Sequence, residues 1–189
     1  GSMRLGQWMD WENSYFTFSD THIAYIWRFL RRMHDEGYLV KGHRSTEWCP
    51  RCGTSISAHE LVGSYEDRTD PSLFVRLPLL DRPGQSLAVW TTTPWTLPAN
   101  VAAAVNPDAE YGRRADGEWW AVARAPGEEF VERAPGADLV GLRYEGPFDH
   151  LPAAAGVEHR VIPWGDVSME EGTGIVHIAP GSGAEDFEL

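Results

Sequence analysis

The feature that most constrains the fold is WTTTPWTLP, residues 90–98. Threonine and tryptophan favour β-strands, but Pro94 has no N–H to donate to a sheet and Pro98 repeats the interruption. A central strand therefore has to end inside this segment, and it leaves the three hydroxyls of residues 91–93 at its end. A hydrophobic core accepts hydroxyls poorly unless they are hydrogen-bonded. The pattern predicts a turn beside a pocket that binds something polar.

From residue 64 onward, short segments that favour strands are separated by Pro, Gly and Asp. The turn signals recur at roughly ten to twenty residues, which is typical of sheets with short connections. The pattern predicts an α+β fold, in which a β-barrel-like domain of short, mostly antiparallel strands carries peripheral helices. The predicted strands are 73–77, 86–92, 100–105, 119–124, 159–162 and 174–178, and residues 125–156 are predicted to contain a short helix and surface loops.

A helix is predicted over residues 19–37, where N-capping residues precede apolar residues at helical spacing and Gly37 ends the pattern. Three arginines lie on or beside the opposite face, namely Arg28, Arg31 and Arg32. They are the densest positive cluster of the chain, and either a solvated helix face or a binding surface explains them. A second helix is predicted near the end, because Ser182 and Glu185 form a capping-box pattern.

The charge of the chain limits its partners. Its 28 acidic and 16 basic residues give a formal net charge of −12. This balance argues against a nucleic-acid-binding module that acts alone, because such modules depend on Lys and Arg contacts to phosphates. No apolar run approaches the ~20 residues of a membrane span, and no signal-peptide pattern is present. We therefore expect a cytoplasmic monomer without membrane contact.

Three sections are predicted along the chain. Residues 1–3 are interpreted as the remnant of an expression tag, and residues 4–63 as a leading helical segment that carries a C-x-x-C knuckle. Residues 64–189 are interpreted as the β-barrel-like domain, truncated at its C-terminal end within the helix predicted there.

The knuckle contains the only two cysteines of the sequence, Cys49 and Cys52. This spacing on a tight turn is typical of a pair of zinc ligands, and a structural site needs two more. His43 and His59 are candidates at unconvincing spacings, a thioredoxin-like redox pair would need a βαβ context, and a turn with two free thiols is also open. We interpret the pair as half of a zinc site whose other half lies outside this chain.

Two titratable residues near the end are candidates for chemistry. His177 lies in the predicted strand 174–178, and Asp186 lies in the first turn of the terminal helix, where the helix dipole favours an ionised carboxylate. Ser182 between them raises the alternative of a Ser-His-Asp hydrolase, although the G-x-S-x-G elbow is absent and triad members rarely lie so close in sequence. The glycines that flank Ser182 match a phosphate-binding loop only weakly.

In their order along the chain these motifs resemble the editing insertion of isoleucyl-tRNA synthetases, a class I family. The likeness extends over nearly the whole chain from Leu5 and rests on LGQWMDWENSYFTF, EWCPRCGTSISAHE, WTTTPWTLPANVAAAVNP and GTGIVH-x-AP-x-x-GAED. The sister families for valine and leucine carry Arg at the position of Thr93 and lack the His-x-Ala-Pro of residues 177–180. Three features depart from the family: Gly181-Ser182 replaces Ala-Phe, the nucleotide-binding motifs are absent, and the second C-x-x-C is absent.

The resemblance implies post-transfer editing, and pre-transfer editing as well. One methylene in an apolar pocket provides only about 1–3 kcal/mol of discrimination, and isoleucine against valine in this family is the usual example. A second site would therefore hydrolyse the ester of mischarged Val-tRNA(Ile) and reject Ile-tRNA(Ile) by size. The implied partners are the 3′-terminal adenosine of tRNA(Ile) and the remaining domains of the parent synthetase. Aminoacylation by this chain is not expected.

The resemblance also implies roles for individual residues. Asp186 would bind the α-ammonium group, and His177 would form the wall that excludes isoleucine. The ester, the ribose and the attacking water would be hydrogen-bonded by Thr92, Thr93 and Thr96, above a floor shaped by Thr91 and Trp95. No cofactor is expected for editing, and structural zinc at Cys49 and Cys52 is expected only in the full-length enzyme.

Two other functions stay open. The first is a non-catalytic tRNA- or zinc-binding module with a vestigial pocket. The second is a free-standing deacylase for another error, such as Thr-tRNA(Val), and Thr93 in place of Arg argues against it. Deacylation activity separates the first from editing, and substrate choice separates the second.

Overall fold

A computed structural model describes residues 1–189, except for the side chain of Ala153. The chain forms two compact units, Gly1–His43 and Arg44–Leu189. The C-x-x-C knuckle belongs to the second unit, which also contains the strands. The tag remnant and the predicted boundary after residue 63 stay predictions.

The first unit contains helix α1, Asp20–Asp35, after a 3₁₀ turn at Ser2–Leu5. The Ser19 hydroxyl caps α1 by accepting a hydrogen bond from His22 N at 3.3 Å, so the predicted helix is confirmed. Two arginines of the positive cluster on α1 form ion pairs with acidic residues one turn further along the helix, Arg31 with Asp35 and Arg32 with Glu36. No helix among the described residues is both long and apolar enough to cross a lipid bilayer.

The second unit consists of short strands, two short helices and 3₁₀ turns. Its strands are β1 (Trp48–Cys49), β2 (Thr54–Ser55), β3 (Leu73–Pro78), β4 (Ser86–Thr91), β5 (Ala102–Val105), β6 (Glu110–Arg113), β7 (Glu118–Ala121), β8 (Glu132–Pro135), β9 (Arg160–Pro163) and β10 (Ile175–Ile178). Its helices are α2 (Ala58–Leu61) and α3 (Ala184–Glu188), and its 3₁₀ turns are Pro94–Ala99, Val122–Arg124, Gly136–Asp138 and Pro152–Ala154.

These strands form three sheets. The strand orders are β1-β2, β3-β4-β7-β6-β8 and β10-β5-β9. Only the pairs β4-β7 and β5-β9 among the described strands are parallel. The predicted α+β class of short, mostly antiparallel strands with peripheral helices is therefore confirmed. Within the described residues the strands remain in separate sheets and do not close into a barrel.

Beyond residue 64, two strands lie where the sequence pattern predicted none, and the two short strands of the knuckle, β1 and β2, were not predicted either. Strand β6 pairs with β8, although Gly112 in β6 and Pro135 in β8 both disfavour strands. The ring of Phe130 occupies the place where a Cβ of residue 112 would lie, so the glycine is required by a close approach from another part of the chain. Residues 122–124, predicted to continue a strand, form a 3₁₀ turn instead.

The core of the second unit lies between its two larger sheets and includes Leu77, Leu87, Val89, Tyr111, Trp119, Tyr144 and Ile175. The Tyr111 hydroxyl accepts a hydrogen bond from Asn106 N at 2.9 Å and donates one to Gly174 O at 2.7 Å. Burial raises the pKa of Tyr111 to about 12, so the hydroxyl keeps its proton at neutral pH. This side chain ties the five-stranded sheet to the start of β10.

Gly174 lies at that junction. Its φ of 74° is in the left-handed region, and a Cβ at this position would overlap the Cβ of Ala121. Glycine is therefore required at residue 174 both by backbone conformation and by the contact between β10 and the end of β7.

We predict that Gly174→Ala destabilises the protein more than Gly63→Ala. Gly63 has the same backbone strain, with a φ of 76°, but no other atom lies within 4 Å of the place that a Cβ would take there. Strain alone is expected to cost about 1–2 kcal/mol at either position, and overlap with Ala121 should add about 1–3 kcal/mol at residue 174. Equilibrium urea unfolding measures the difference, and equal losses in the two variants would contradict the close contact.

Candidate active site

A cleft of about 510 Å³ lies beside the end of β4. Its walls come from the turn that follows β4 and from the segment that contains β10 and the start of α3. Every predicted catalytic or substrate-binding residue lines this cleft, namely Thr91, Thr92, Thr93, Trp95, Thr96, His177 and Asp186. The fold thus brings together two parts of the sequence that are about eighty residues apart, since Thr96 and His177 are separated by 81 positions.

The threonine hydroxyls hold the turn together where the prolines interrupt the strand. Thr93 N donates to Thr91 Oγ1 at 3.1 Å, and Thr96 Oγ1 donates to Thr93 O at 2.7 Å. Thr91 is buried, whereas Thr92 and Thr93 are exposed. The hydroxyls of Thr91 and Thr96 therefore serve the backbone of the turn. The Thr93 hydroxyl lies between them, 3.4 Å from Thr91 Oγ1 and 3.5 Å from Thr96 Oγ1.

Trp95 lines the cleft at its mouth. Its side chain is 64% exposed, so it does not lie under the cleft as a floor residue would. Thr91 also lines the cleft and is only 5% exposed, so its role in shaping the floor stays a prediction. A large aromatic side chain at the mouth offers an apolar surface to whatever enters the cleft.

His177 lies in β10 opposite Ala103 of β5 and is only 7% exposed. Its Nε2 atom is 3.0 Å from Thr96 Oγ1. Because Thr96 uses its only proton to bind Thr93 O, its hydroxyl oxygen must accept the proton of His177 Nε2. The network thereby assigns the proton to Nε2 and leaves Nδ1 as a bare acceptor, which is buried and has no hydrogen-bond partner among the described residues.

The electrostatic surroundings of His177 favour its neutral form. Burial lowers the pKa of His177 from its usual value of 6.5, and the negative charge of Asp186 opposes this only in part. The side chain is therefore a neutral imidazole at pH 7. One hydrogen bond to Thr96 holds it against the turn that follows β4, which we call the threonine turn (residues 91–100).

Asp186 is partly buried in the first turn of α3. Its Oδ2 atom accepts a hydrogen bond from Ala179 N at 2.8 Å, which fixes the carboxylate against the end of β10. The predicted capping box of Ser182 and Glu185 is wrong, because Gly183 is the N-cap residue and no side chain caps the helix. A Cβ at Gly183 would lie 3.3 Å from the carboxylate carbon of Asp186, so the glycine leaves room for this carboxylate.

One wall of the cleft was not predicted. Gly172, Thr173 and Gly174 line it together with Trp90. Both glycines have positive φ, 62° and 74°, and a Cβ at Gly172 would lie 2.8 Å from the Trp90 ring. Thr173 between them is 1% exposed. The Gly-x-Gly spacing was the available signal, because two glycines so close often mark a tight backbone approach.

The Ser-His-Asp alternative is not assembled. Ser182 lines the cleft, but it is exposed, and among the described residues its hydroxyl makes no hydrogen bond to His177 or Asp186. His177 instead uses Nε2 to bind Thr96. A serine nucleophile needs a base within hydrogen-bonding reach, so this arrangement does not support nucleophilic catalysis by Ser182.

The two cysteines lie on the hairpin of β1 and β2. Cys52 N donates to Cys49 Sγ at 3.4 Å, and this hydrogen bond lowers the pKa of the Cys49 thiol. A lowered thiol pKa suits a metal ligand. Among the described residues, however, no cluster of three or more His, Cys, Asp or Glu side chains could hold a metal ion. The half zinc site therefore stays a prediction for a longer chain.

The sequence matches the profile of the family described as tRNA synthetases class I (I, L, M and V) over residues 2–160. An isoleucine–tRNA ligase from Methanothermobacter thermautotrophicus is 45% identical over 195 residues, which cover 98% of this chain and 18% of that relative. The chain thus spans about a fifth of the length of the relative it matches.

Two solved structures were matched by fold. The crystal structure of GlLeuRS-CP1 matches with a TM-score of 0.51 at 18% identity, and it covers 62% of this chain and 56% of that one. The editing domain of the cytosolic leucyl-tRNA synthetase of P. knowlesi matches with a TM-score of 0.44 at 15% identity, over 55% of this chain and 49% of that one. The first match supports the fold described above.

The lowered pKa of His177 predicts a pH dependence of stability. The unfolded chain binds a proton at residue 177 more readily than the folded protein does, so this group reduces the free energy of unfolding as the pH falls through 6.5 and below. Urea unfolding of the wild type and of His177→Gln, from about pH 8 to about pH 5, measures this contribution. The wild type should lose more stability than the variant on acidification, and two parallel curves would contradict the prediction.

Proposed function

The chain belongs to the class I tRNA synthetases (I, L, M and V), and we propose that its cleft hydrolyses the aminoacyl ester of tRNA(Ile) mischarged with valine. The observation that carries the proposal is the convergence in one cleft of the threonine hydroxyls, the neutral His177 and the carboxylate of Asp186. The resemblance to isoleucyl-tRNA synthetases assigns the editing roles to these same residues, although the Thr96 hydroxyl is engaged by Thr93 O and His177.

Asp186 is proposed to bind the α-ammonium group of the amino acid. Ala179 N orients the carboxylate through Oδ2, and among the described residues Oδ1 accepts no hydrogen bond. A free carboxylate oxygen at the side of a cleft forms a charge-assisted hydrogen bond with an ammonium group. Such a contact orients the ester with its carbonyl carbon towards the threonine turn.

His177 is proposed to select the side chain by size. Its imidazole is buried and fixed by Thr96, so it does not move aside easily. A fixed wall accommodates the valyl side chain, whereas the additional methylene of isoleucine meets the ring. Rejection by steric overlap can exceed the discrimination that attraction in an apolar pocket provides.

The proposed chemistry is direct hydrolysis by water. Water attacks the carbonyl carbon of the ester, the bond from that carbon to the ribose oxygen breaks, and the proton lost by water passes to the ribose oxygen. The products are free valine and uncharged tRNA. Thr92 and Thr93 line the cleft, and their hydroxyls are proposed to hydrogen-bond the water and the ester oxygen, so that the rate enhancement comes from positioning and electrostatic stabilisation.

The partners are proposed to be the 3′-terminal adenosine of the tRNA and the remaining domains of a parent synthetase. A net charge of −12 makes this chain a poor ligand for the tRNA body, so we propose that other domains bind the body and this chain binds only the end of the acceptor strand. The hydrolytic step needs no cofactor in this proposal, and a structural zinc through Cys49 and Cys52 is proposed only for the full-length enzyme.

The first test is the rate at which Val-tRNA(Ile) and Ile-tRNA(Ile) lose their amino acids in the presence of this chain. We expect selective hydrolysis of the valyl ester, and a rate lower by about 10- to 100-fold in Asp186→Ala, the cost of one charged hydrogen bond. Glu185→Ala is the matched control, because it removes an exposed carboxylate from the same turn of α3 and should have little effect.

The same variants in the full-length enzyme separate the outcomes. If the isolated chain is inactive but the full-length enzyme deacylates Val-tRNA(Ile) in an Asp186-dependent way, the proposed site stands and needs the other domains for tRNA docking. If neither hydrolyses the ester, the chain is a non-catalytic module. Faster hydrolysis of Thr-tRNA(Val) would assign it to the other deacylase class.

His177→Ala tests the proposed basis of selectivity. Removal of the imidazole should widen the cleft and allow Ile-tRNA(Ile) to be hydrolysed, so that the ratio of valyl to isoleucyl hydrolysis rates falls by about 10-fold or more, the range that one methylene spans in a pocket. The measurement is the pair of single-turnover rates. Unchanged protection of Ile-tRNA(Ile) in this variant would show that another group excludes isoleucine.

A further inference from the structure

Asn100 ends the threonine turn and is 5% exposed. Its Nδ2 atom donates to Ala102 O at 2.9 Å, and its Oδ1 atom accepts from the Tyr144 hydroxyl at 2.7 Å. Its backbone N–H donates to Leu97 O at 3.1 Å, within the turn itself. One buried side chain thus connects the end of the turn, the entry into β5 and a tyrosine from a distant segment.

Tyr144 is itself held in place. Its ring lies 5.2 Å from the ring of His159, its backbone N–H donates to His159 O at 3.2 Å, and the His159 Nε2 atom lies 2.8 Å from Asp149 Oδ1. Burial raises the pKa of Tyr144, so its hydroxyl remains a donor to Asn100 at neutral pH. Tyr144, which holds Asn100, is therefore itself held in place by contacts on the side away from the threonine turn.

Asn100 lies where the chain leaves the wall formed by the threonine turn and enters the strand that pairs with the other wall. The turn before it carries Thr96, and strand β5 after it pairs with β10, which carries His177. At the start of this pairing Val101 N donates to Ile178 O at 3.0 Å. The direction in which the chain passes through Asn100 therefore sets the distance between Thr96 and His177, the contact that gives the imidazole its orientation.

We propose that Tyr144 and Asn100 are positioning residues of the cleft, and that their hydrogen bond maintains the contact between Thr96 Oγ1 and His177 Nε2. Neither side chain lines the cleft, so both act through the turn. Their consequence for selectivity rests on the proposed function, but their effect on His177 does not.

The variant Tyr144→Phe tests this proposal, because it keeps the ring and removes only the hydroxyl. The first readout is the nitrogen NMR spectrum of the His177 ring in the ligand-free protein, where the wild type should have its proton on Nε2. In the variant we expect a mixture of both tautomers and faster exchange of the ring N–H with water. An unchanged His177 spectrum in a folded Tyr144→Phe protein would overturn the proposal.

Leu139→Val is the control for a purely structural effect. Leu139 belongs to the same core cluster as Tyr144 and is fully buried, but its side chain has no hydrogen bond to offer the turn. It should lower the melting temperature and leave the His177 tautomer unchanged. The same tautomer shift in both variants would mean that loss of core stability alone disturbs the site. That result would refute the positioning role of Tyr144 and Asn100.

Selectivity provides the second readout. In Tyr144→Phe we expect the ratio of valyl to isoleucyl hydrolysis rates to fall on the order of 10- to 100-fold, because small displacements of positioning groups are costly. Asn100→Ala combined with Tyr144→Phe should be no worse than Asn100→Ala alone if the two act through one hydrogen bond. Fully additive losses would contradict the coupling between them, and if the Asn100 variants do not fold, the comparison of Tyr144→Phe with Leu139→Val decides.

The two proposals can fail separately. Absence of hydrolysis in the wild type and in the full-length enzyme would refute the proposed function, while the NMR comparison would still decide the role of Tyr144 and Asn100. An active enzyme whose His177 spectrum is indifferent to Tyr144→Phe would refute the positioning role alone.

Discussion

The rest of the site depends on how the chain satisfies its backbone where two prolines interrupt the strand. Thr91 and Thr96 bind the N–H and the carbonyl of Thr93, which supplies partners for these backbone groups just beyond the end of β4 at Thr91. This requirement engages the hydroxyls of Thr91 and Thr96 in different ways, since Thr91 accepts a proton and Thr96 donates its own. Because the only proton of the Thr96 hydroxyl goes to Thr93 O, His177 must donate its Nε2 proton to Thr96.

The electrostatic character of the cleft follows from the same arrangement. Burial keeps His177 neutral, while Asp186 lies at the start of a short helix and receives a backbone N–H. A neutral wall and an oriented carboxylate are suited to different parts of one substrate, an apolar side chain and an ammonium group. His177 and Asp186 lie close together in the sequence, because only the end of β10 and the start of α3 lie between them.

The cleft lies at a junction of distant segments, which explains why its supports are buried tyrosines. Tyr111 fixes the start of β10 through Gly174, and Tyr144 fixes the end of the threonine turn through Asn100. A tyrosine can fill a core position with its ring and still present one hydroxyl to a backbone or side-chain acceptor. Supports of this kind reinforce the connection between the two walls that the pairing of β5 with β10 provides.

Local signals in the sequence were sufficient for α1, for the strand end at the prolines and for the α+β class, because capping, periodicity and proline chemistry act over a few residues. The resemblance to isoleucyl-tRNA synthetases identified the residues that the fold brings into one cleft. Tertiary structure alone decided that β6 and β8 are strands, that Gly183 and not Ser182 caps α3, that Trp95 lies at the mouth and that His177 is buried and neutral. Each of these depends on contacts that local sequence does not encode, such as Phe130 against Gly112 or Ala179 N bound to Asp186, and burial and hydrogen-bond partners of that kind do not exist until the chain has folded.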